Sequence, residues 1–322
     1  MKGFAIKKER VYYLNETNMK KIINYILHPS QIKKRHFIRK MYGKYGQSLS
    51  DEEYISKIYK FRTGKSLNLE NPSSFNEKMY WLKLNDRKPF YTLLCDKIEV
   101  KKIIEKELGP EYIVPTIDTW DSSDDIDFEK LPNKFVLKCN HDSGSVIVCR
   151  DKSKLNIKKT RKAINKCLKT DYFLKTREWP YKNINRKVFA EQYVESEDGT
   201  SMVDYKFFCF NGEPKFLYVS QGLENHQTAS ISFFDLDGNR LPFKRSDFKA
   251  IEHFEKPSNF EEMKKIAKTL AKLSQSKHVR IDLYSINNRI YFSEFTFFTC
   301  GGCIPFEPAS ADDEIGKMLK LD

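Results

Sequence analysis

A chain of 322 residues is long enough for one large domain, or for two to three coupled lobes, around a full-sized core. With 40% hydrophobic and 31% charged residues the composition is that of a globular protein, and no stretch approaches the roughly 20 apolar residues that span a bilayer. The net charge of +13 (57 basic less 44 acidic side chains) favours anionic partners, namely nucleotides, nucleic acid, acidic glycans or lipid headgroups, without choosing among them.

Residues 1 to about 70 are strongly basic and predict helices. The N-terminus has no apolar core long enough for a secretory signal. Over residues 19–46, apolar side chains recur every three to four positions beside clusters of Lys and Arg. This pattern favours helices packed on their own protein with a solvated basic face, and a helix lying on a membrane surface is the alternative.

Two further helices are predicted before the first strand. Ser74 followed by Glu77 forms a capping box, which predicts a helix that Pro89 helps to end. A second helix is predicted from Tyr91 to Leu108, since a Gly-Pro pair follows at 109–110.

The remainder of the chain alternates strand and helix patterns. Strands are predicted over 134–140, 146–149 and 187–194, followed by a hairpin over 204–219 that turns at Asn211-Gly212. Helices are predicted over 153–169 and 258–274, the second with a capping box of Ser258 and Glu261. These elements describe an α+β protein with a helical front and two mixed lobes.

The segment VRIDLYSINNRIYFSEFTFF predicts a β-hairpin that carries two carboxylates, Asp282 and Glu294, in the middle of its strands. If Asn287-Asn288 alone forms the turn, Asp282 pairs with Ser293 and the two carboxylates lie on opposite faces. A three-residue loop, 287–289, instead places Asp282 directly across from Glu294. We favour the second register because it collects the apolar residues on one face: Val279, Ile281, Leu283, Phe295 and Phe297.

In that register the opposite face carries Arg280, Asp282, Glu294 and Thr296. Two facing carboxylates repel each other, and a divalent cation with oxygen ligands, such as Mg²⁺, would relieve the repulsion. An acidic pair bridged by Arg280 without a metal is the alternative.

Elsewhere the chain offers groups suited to phosphate. Lys138 ends a strand immediately before NHDSGS, a turn whose backbone N–H groups can surround an anion, although polar Gly/Ser turns are usually only turns. Lys97 is a second candidate cation. Asp204 and Lys206 share one face of the next hairpin, and a surface ion pair is their simpler interpretation.

The seven cysteines are odd in number and scattered, which predicts reduced thiols and a cytoplasmic protein. Cys300 and Cys303 form a lone CGGC. No second CxxC or HxxxH completes a metal site in the sequence, so a glycine-containing loop is favoured over redox or zinc chemistry.

In order and spacing, the motifs PSSFNEKMYWLKL, DK, LPNKFVLKCNHDSGS, EQYV, DYKFFCFNGEPK and RIDLY…YFSEFTFFTCGG resemble the TupA-like proteins of the ATP-grasp superfamily, from about residue 48 to the C-terminus. The resemblance implies an ATP-grasp fold, in which two α+β lobes clasp ATP, with ATP and Mg²⁺ as cofactors. It implies a basic helical N-terminal region over 1–90, an N-terminal lobe over 91–186 and a C-terminal lobe over 187–322.

The resemblance also implies roles for individual residues. Lys97 and Lys138 match the lysines that contact ATP phosphates. The loop over the triphosphate is matched by His141, Ser143, Gly144 and Ser145, and the adenine and ribose segment by Glu191, Gln192, Tyr193 and Val194. Asp204 is expected to be a further carboxylate facing the nucleotide. Asp282 and Glu294 match the magnesium ligands, with Thr296 where the superfamily commonly has Asn. Arg280 matches the residue that steadies the reacting phosphoryl or acyl group, and Lys206 is assigned a catalytic role beside it.

The implied function is an ATP- and Mg²⁺-dependent carboxylate–amine ligase that forms an amide through an acyl phosphate during surface-polysaccharide assembly. A uronic acid or amino-acid group of a small molecule or saccharide is the expected substrate, and an acidic saccharide fits the basic charge. A sugar kinase on the same fold and a glycosyltransferase are the alternatives. A nucleic-acid partner is not expected, because it leaves the acidic hairpin unexplained. The basic N-terminal helices would then contact the inner face of the membrane, a polysaccharide-assembly complex, or only the protein itself.

Overall fold

The computed structural model describes residues 29–197, 202–222, 229–251 and 254–321. By its internal contacts the chain divides into two compact units, 1–49 and 50–322. The first unit contains helices α1 (Pro29–Tyr42) and α2 (Lys44–Ser48), which agree with the helical prediction there. Residues 1–28 lie outside the described residues, so the rest of that prediction remains a prediction. Within the described ranges no helix combines the length and the apolar character needed to cross a membrane.

The second unit begins with four helices: α3 (Asp51–Thr63), α4 (Phe75–Asn85), α5 (Pro89–Cys95) and α6 (Glu99–Glu107). The capping box predicted for α4 is confirmed, because the Ser74 hydroxyl accepts from the backbone N–H of Glu77 at 3.2 Å and the Glu77 carboxylate accepts from that of Ser74 at 3.3 Å. Pro89 lies in the first turn of α5, where its missing N–H costs nothing, and does not end α4.

The single helix predicted from Tyr91 to Leu108 is wrong, since the chain breaks between α5 and α6. One oxygen of Asp96 accepts hydrogen bonds from the backbone N–H groups of Ile98 and Glu99, at 2.9 and 3.3 Å. A short acidic side chain that bonds the backbone in this way competes with the helical hydrogen bonds. The break places Lys97 on a connecting segment instead of a helix face.

The first sheet is antiparallel, with the strand order β1-β4-β2-β3. Its strands and the two helices between the third and fourth are β1 (Thr116–Trp120), β2 (Phe135–Cys139), β3 (Val146–Cys149), α7 (Ile157–Leu168), α8 (Tyr172–Thr176) and β4 (Val188–Gln192). The predicted strands β2, β3 and β4 are confirmed. Strand β1 was not predicted, because its polar sequence TIDTW lacks an apolar alternation.

The remaining elements are β5 (Val203–Phe210), β6 (Glu213–Gln221), β7 (Ser230–Asp235), β8 (Lys244–Arg245), α9 (Phe260–Ser274), β9 (His278–Ile286), β10 (Arg289–Thr296), β11 (Phe306–Glu307) and α10 (Ser310–Gly316). Five of these strands form a second antiparallel sheet in the order β10-β9-β5-β6-β7, and β8 pairs with β11. The predicted turn at Asn211-Gly212 is confirmed, since both residues have positive φ and Phe210 pairs with Glu213.

Helix α9 covers the apolar face of the second sheet. Its buried residues include Met263, Ala267 and Leu270, and the strands beneath contribute Phe207 and Ile281, all fully buried. A smaller apolar cluster lies under the first sheet, around Phe135 and Ile164. Burial of this kind is the main stabilising contribution to the fold.

The capping box predicted for α9 is wrong. The residue before the helix is Asn259, which makes no capping hydrogen bond with its side chain. The hydroxyl of Ser258 instead donates to the side chain of Asn288 at 2.5 Å.

The C-terminal hairpin contains both of the registers considered from the sequence, one in each half. Asn287 and Asn288 form a two-residue turn with φ of 51° and 58°, so the predicted three-residue loop is wrong. Ser293 is an extra residue, a β-bulge, because Phe292 pairs with Leu283 but Glu294 pairs with Asp282. Beyond the bulge the predicted facing of the two carboxylates is therefore confirmed.

Candidate active site

The polar face of the second sheet carries a row of charged side chains, one from each neighbouring strand. Strand β5 places Lys206 opposite Asp282 of β9, and β9 places Asp282 opposite Glu294 of β10. Arg280 and Thr296 form the adjacent pair across the same two strands. Because the side-chain period of a strand is two, the register brings all five groups to one face.

Asp282 is the centre of this cluster and is fully buried. Its carboxylate accepts two hydrogen bonds from Arg280, each 2.6 Å long, and one from Lys206 at 2.9 Å. Burial acts to raise the pKa of Asp282, but the two neighbouring cations outweigh it and hold that pKa below its usual value. The carboxylate is therefore ionised at neutral pH.

Arg280 also forms hydrogen bonds with three hydroxyl groups besides its pair with Asp282. Its guanidinium donates to the hydroxyl groups of Tyr218 at 3.0 Å, Thr299 at 3.3 Å and Thr296 at 3.0 Å. With the two bonds to Asp282, these contacts use all five N–H groups of the guanidinium, so its position and orientation are fixed. Both Tyr218 and Thr299 were missed from the sequence: Tyr218 lies outside the motifs that carry the resemblance, and Thr299 lies within YFSEFTFFTCGG but was given no role.

Glu294 lies at the edge of the cluster, with its side chain 30% exposed. One of its oxygens accepts from the Thr296 hydroxyl at 3.1 Å and lies 3.6 Å from Arg280. Arg280 therefore bridges the two carboxylates, as the alternative to a metal predicted.

The interpretation of Asp204 and Lys206 as a surface ion pair is wrong. Both residues are 7% exposed, and the Lys206 ammonium donates to Asp204 at 2.9 Å. The other oxygen of Asp204 accepts from Ser220 at 3.3 Å. Burial favours the neutral amine, but Asp282 and Asp204 raise the pKa of Lys206 well above its usual value. Lys206 is therefore a buried cation, and the nucleotide-facing role expected for Asp204 remains a prediction.

The cluster suits Mg²⁺ in charge and in donor chemistry. Three carboxylates (Asp204, Asp282 and Glu294) against two cations leave a net charge of −1. The atoms at its edge are oxygens, which are the ligands that Mg²⁺ prefers. Glu294 faces solvent, and the oxygen of Asp282 bonded only to the Arg280 Nε has a second lone pair. Asp282, Glu294 and Thr296 are thus the residues that would hold the ion.

A second charged group lies on the first sheet around Glu191, which is buried on β4. Its two oxygens accept from Lys138 of β2 at 2.5 Å and from Lys101 of α6 at 2.6 Å. Burial acts to raise the pKa of Glu191, but these two lysines hold it below its usual value. Two cations to one anion leave a net charge of +1, which suits a phosphate.

Lys101 was missed from the sequence. It lies four residues after Lys97 in a lysine-rich helix, where nothing distinguishes it from its neighbours. In the structure its ammonium also donates to the backbone carbonyl of Val114 and to the Thr116 hydroxyl, both at 2.8 Å.

The polar turn 140–145 is attached to the segment that carries Lys97. The backbone N–H of Lys97 donates to the carbonyl of Asn140 at 3.2 Å, and its ammonium donates to the carbonyl of Asp142. Ser143 and Gly144 are exposed at the tip. His141 instead is buried, with its ring against Thr170, and burial lowers its pKa.

The residues that follow Glu191 leave the sheet. Gln192 is exposed and closes β4, while Tyr193 and Val194 lie beyond the strand. The Tyr193 hydroxyl accepts from Arg150 of the neighbouring loop at 3.0 Å. The adenine and ribose contacts expected for this segment remain predictions.

Burial raises the pKa of Tyr172 of α8, the charges of Glu178, Glu294 and Asp142 add to the increase, and Ser143 opposes it.

Helix α5 connects the segment of Lys97 with the acidic row. It packs against β10, the strand that carries Glu294, and Lys97 follows its last residue, Cys95, by two positions. Burial raises the pKa of the Cys95 thiol.

Comparison with known proteins identifies the family of the chain. The family model described as TupA-like ATPgrasp matches residues 77–320. Among solved structures, the D-alanine–D-alanine ligase of Bacillus anthracis complexed with ATP is 16% identical over 64% of this chain and 54% of its own, with a TM-score of 0.35. The L-amino acid ligase of Bacillus licheniformis is 12% identical over 79% of this chain and 57% of its own, with a TM-score of 0.42. No curated protein gives a significant sequence match.

The chain thus spans little more than half the length of these two ligases. Its family match covers about three quarters of its own residues and defines an ATP-grasp protein, with the α+β fold expected from the sequence. Within that superfamily it belongs to the TupA-like ATP-grasp family. ATP and Mg²⁺ are the standard cofactors of this fold.

Proposed function

We propose that this chain is an ATP- and Mg²⁺-dependent ligase that joins a carboxylate to an amine. The observation that carries the proposal is the charged row across β5, β9 and β10, where Lys206, Asp282 and Glu294 face one another beside Arg280. Its groups suit the stabilisation of a phosphoryl group in transfer, which needs charge neutralisation and positioning and no protein nucleophile.

When bound with Mg²⁺, ATP would supply the γ-phosphoryl group to the substrate carboxylate, with ADP as the leaving group. The amine would then displace phosphate from the acyl phosphate and lose a proton, which gives the amide. Asp282 of β9 and Glu294 of the edge strand β10 would hold the cation. Arg280, fixed by Tyr218 and Thr299, directs its positive charge to the reacting phosphoryl or acyl oxygens.

Lys206 contributes a second fixed charge beneath the row. Because it is buried and bonded to Asp204 and Asp282, its position is determined before any substrate arrives. Groups oriented in advance cost no rearrangement during the reaction, which is the main source of electrostatic catalysis.

The phosphates are assigned to the lysines of the first sheet and to the polar turn. Together, Lys138, Lys101 and Glu191 carry a net charge of +1. Lys97 lies against the turn that carries Ser143 and Gly144. Closure of this turn over the nucleotide would exclude water, which protects an acyl phosphate from hydrolysis.

For the substrate we propose a uronic acid or amino-acid carboxylate of a surface polysaccharide or its precursor. The support is the association of the family with such pathways and the net charge of +13, which favours an acidic saccharide. Contact of the basic N-terminal helices with a membrane surface or an assembly complex belongs to the same proposal.

The test is product analysis of the full chain with ATP, Mg²⁺ and pairs of uronic acids and amines. The proposal expects ADP, phosphate and an amide in equal amounts. A phosphosugar with no amide would identify a kinase, and turnover that depends on a nucleotide-sugar without ATP would identify a glycosyltransferase. ATP binding without ADP release for any carboxylate–amine pair would reject the ligase.

A matched pair of variants tests whether nucleotide binding depends on the carboxylate of the row and not on any surface carboxylate. Glu294→Gln removes the exposed carboxylate of the row, and Glu307→Gln makes the same change on β11, where the carboxylate pairs only with Lys244 among the described residues. The first should abolish the rise in melting temperature caused by ATP–Mg²⁺, and the second should preserve it.

A further inference from the structure

Three metal-ligating side chains meet away from the acidic row. Cys139 ends β2, His141 follows it by two residues, and Cys167 lies in the last turn of α7. Each offers one donor atom, and these atoms all lie within 4.8 Å of one another. Cys139 and His141 are 2% and 1% exposed, and both thiols are free.

His141 is in the tautomer that a metal ligand requires. Its Nε2 lies 3.3 Å from the backbone carbonyl of Thr170, and a carbonyl can only accept, so Nε2 carries the proton. The lone pair is then on Nδ1, which is buried and has no hydrogen-bond partner among the described residues. Histidine ligands of metals commonly donate their other ring N–H to a backbone carbonyl in this way.

A fourth donor is adjacent. The thiol of Cys167 lies 3.2 Å from one carboxylate oxygen of Asp142. The other oxygen of Asp142 accepts from Ser145 at 2.5 Å, which fixes the orientation of the carboxylate. Asp142 contacts the Cys167 sulfur but does not belong to the group whose donor atoms all lie within 4.8 Å of one another, so that group provides two sulfurs and one nitrogen.

We propose that Cys139, His141 and Cys167 bind a Zn²⁺ ion. Zinc bonds of about 2.0–2.3 Å in a tetrahedron separate the donor atoms by roughly 3.3–3.8 Å, and the spacing of these three atoms needs only small movements to reach this. A water, or the Asp142 carboxylate once it turns from the Cys167 thiol, would complete the four-coordinate shell.

A disulfide between Cys139 and Cys167 is the competing use of the two thiols. It would use two of the three donors and would leave Nδ1 of His141 buried without a hydrogen-bond partner among the described residues. Zinc binds all three donor atoms together, so the donor set favours the metal.

The zinc site would fasten the polar turn 140–145 to α7. Asp142 already accepts from the Lys97 ammonium through its backbone carbonyl, so the turn would be held on two sides while Ser143 and Gly144 stay exposed. This consequence for the nucleotide rests on the proposed function, whereas zinc binding itself does not.

The experiment measures zinc on the reduced full chain, without nucleotide. The protein is loaded with Zn²⁺, passed over a desalting column and analysed by elemental mass spectrometry, and a parallel sample receives Co²⁺ for absorption spectroscopy. Cys167→Ala is compared with Cys303→Ala, a matched control because both thiols are half-buried and free.

The expected result is one zinc per chain in the wild type and in Cys303→Ala, loss of that zinc in Cys167→Ala, and a thiolate-to-cobalt charge-transfer band in the wild type. A wild type that retains no zinc and shows no such band overturns the proposal, and this outcome is decisive even if the variant does not fold. Zinc retained equally by Cys167→Ala, or a Cys139–Cys167 disulfide in the metal-free protein, overturns it as well. None of these readouts depends on ligase activity.

Discussion

Replacement of Asp282 by Asn tests whether the acidic row has a structural part and a cation-binding part. Asp282 is fully buried and accepts three hydrogen bonds from Arg280 and Lys206, whereas Glu294 is 30% exposed at the edge of the same row. Asp282→Asn removes a charge from the interior and leaves two buried cations with one buried partner, Asp204. Glu294→Gln removes an equal charge from the rim.

Loss of one partner from a buried ion pair costs about 3–5 kcal/mol, because the remaining charge keeps its desolvation penalty without compensation. We therefore expect Asp282→Asn to lower the free energy of unfolding by about that amount. An exposed pair contributes about 0–1 kcal/mol, so Glu294→Gln should change the free energy of unfolding by less than about 1 kcal/mol. Both variants should lose the stabilisation by ATP–Mg²⁺.

The measurement is urea unfolding of both variants, with and without ATP–Mg²⁺. A double variant, Asp282→Asn with Lys206→Met, removes a stranded cation and should lose less than the sum of the two single changes. Equal destabilisation by Asp282→Asn and Glu294→Gln would refute the division into interior and rim. Full nucleotide stabilisation of Glu294→Gln would refute its assignment as a cation ligand.

Ser74→Ala should lower the free energy of unfolding by about 1 kcal/mol, because it removes the confirmed cap of α4. Ser258→Ala, which removes no cap, should not show this loss. Urea titration compares the two variants, and equal losses would contradict the capping assignment. Lys101→Met should raise the Kd for ATP about 10- to 150-fold, since a charge-assisted hydrogen bond contributes about 1.5–3 kcal/mol. Calorimetry measures the Kd, with Lys102→Met on the same helix as the control, and an unchanged Kd would remove Lys101 from the site. Desolvation lowers the pKa of buried His278 to about 3, so between pH 6.5 and 3 the unfolded chain binds more protons than the folded one. Lowering the pH through this range should therefore reduce the free energy of unfolding by about 1.4 kcal/mol per pH unit. His278→Gln should reduce this slope in urea titrations at pH 4, 5 and 6, and an unchanged slope would contradict the assignment.

The family and the fold could be predicted because several motifs occur together in a fixed order. The turn at Asn211-Gly212 and the capping box of Ser74 also follow from local chemistry, since each depends on residues within four positions. The facing of Asp282 and Glu294 was predicted from the sorting of apolar and polar residues, although the mechanism assigned to it, a longer turn, was wrong.

What could not be predicted depends on contacts between distant residues. Lys101 is distinguished only by its bond to Glu191, 90 positions further along the chain. The break before α6 depends on Asp96, which also accepts from the side chain of Asn140, 44 positions away, at 3.0 Å. Cys139 and Cys167 are 28 residues apart and lack the CxxC spacing that marks a metal site in a sequence, whereas Cys300 and Cys303 have that spacing.

The extra residue at Ser293 separates two registers within the C-terminal hairpin. Toward the tip the pairing follows the two-residue turn at Asn287-Asn288, and beyond the bulge it is shifted by one position. If β10 kept Ser293 but paired without the bulge, Ser293 would lie opposite Asp282, and Phe295 would take the polar face in place of Glu294 and Thr296. The bulge at this one serine therefore determines whether the strand presents acidic or apolar side chains to the site.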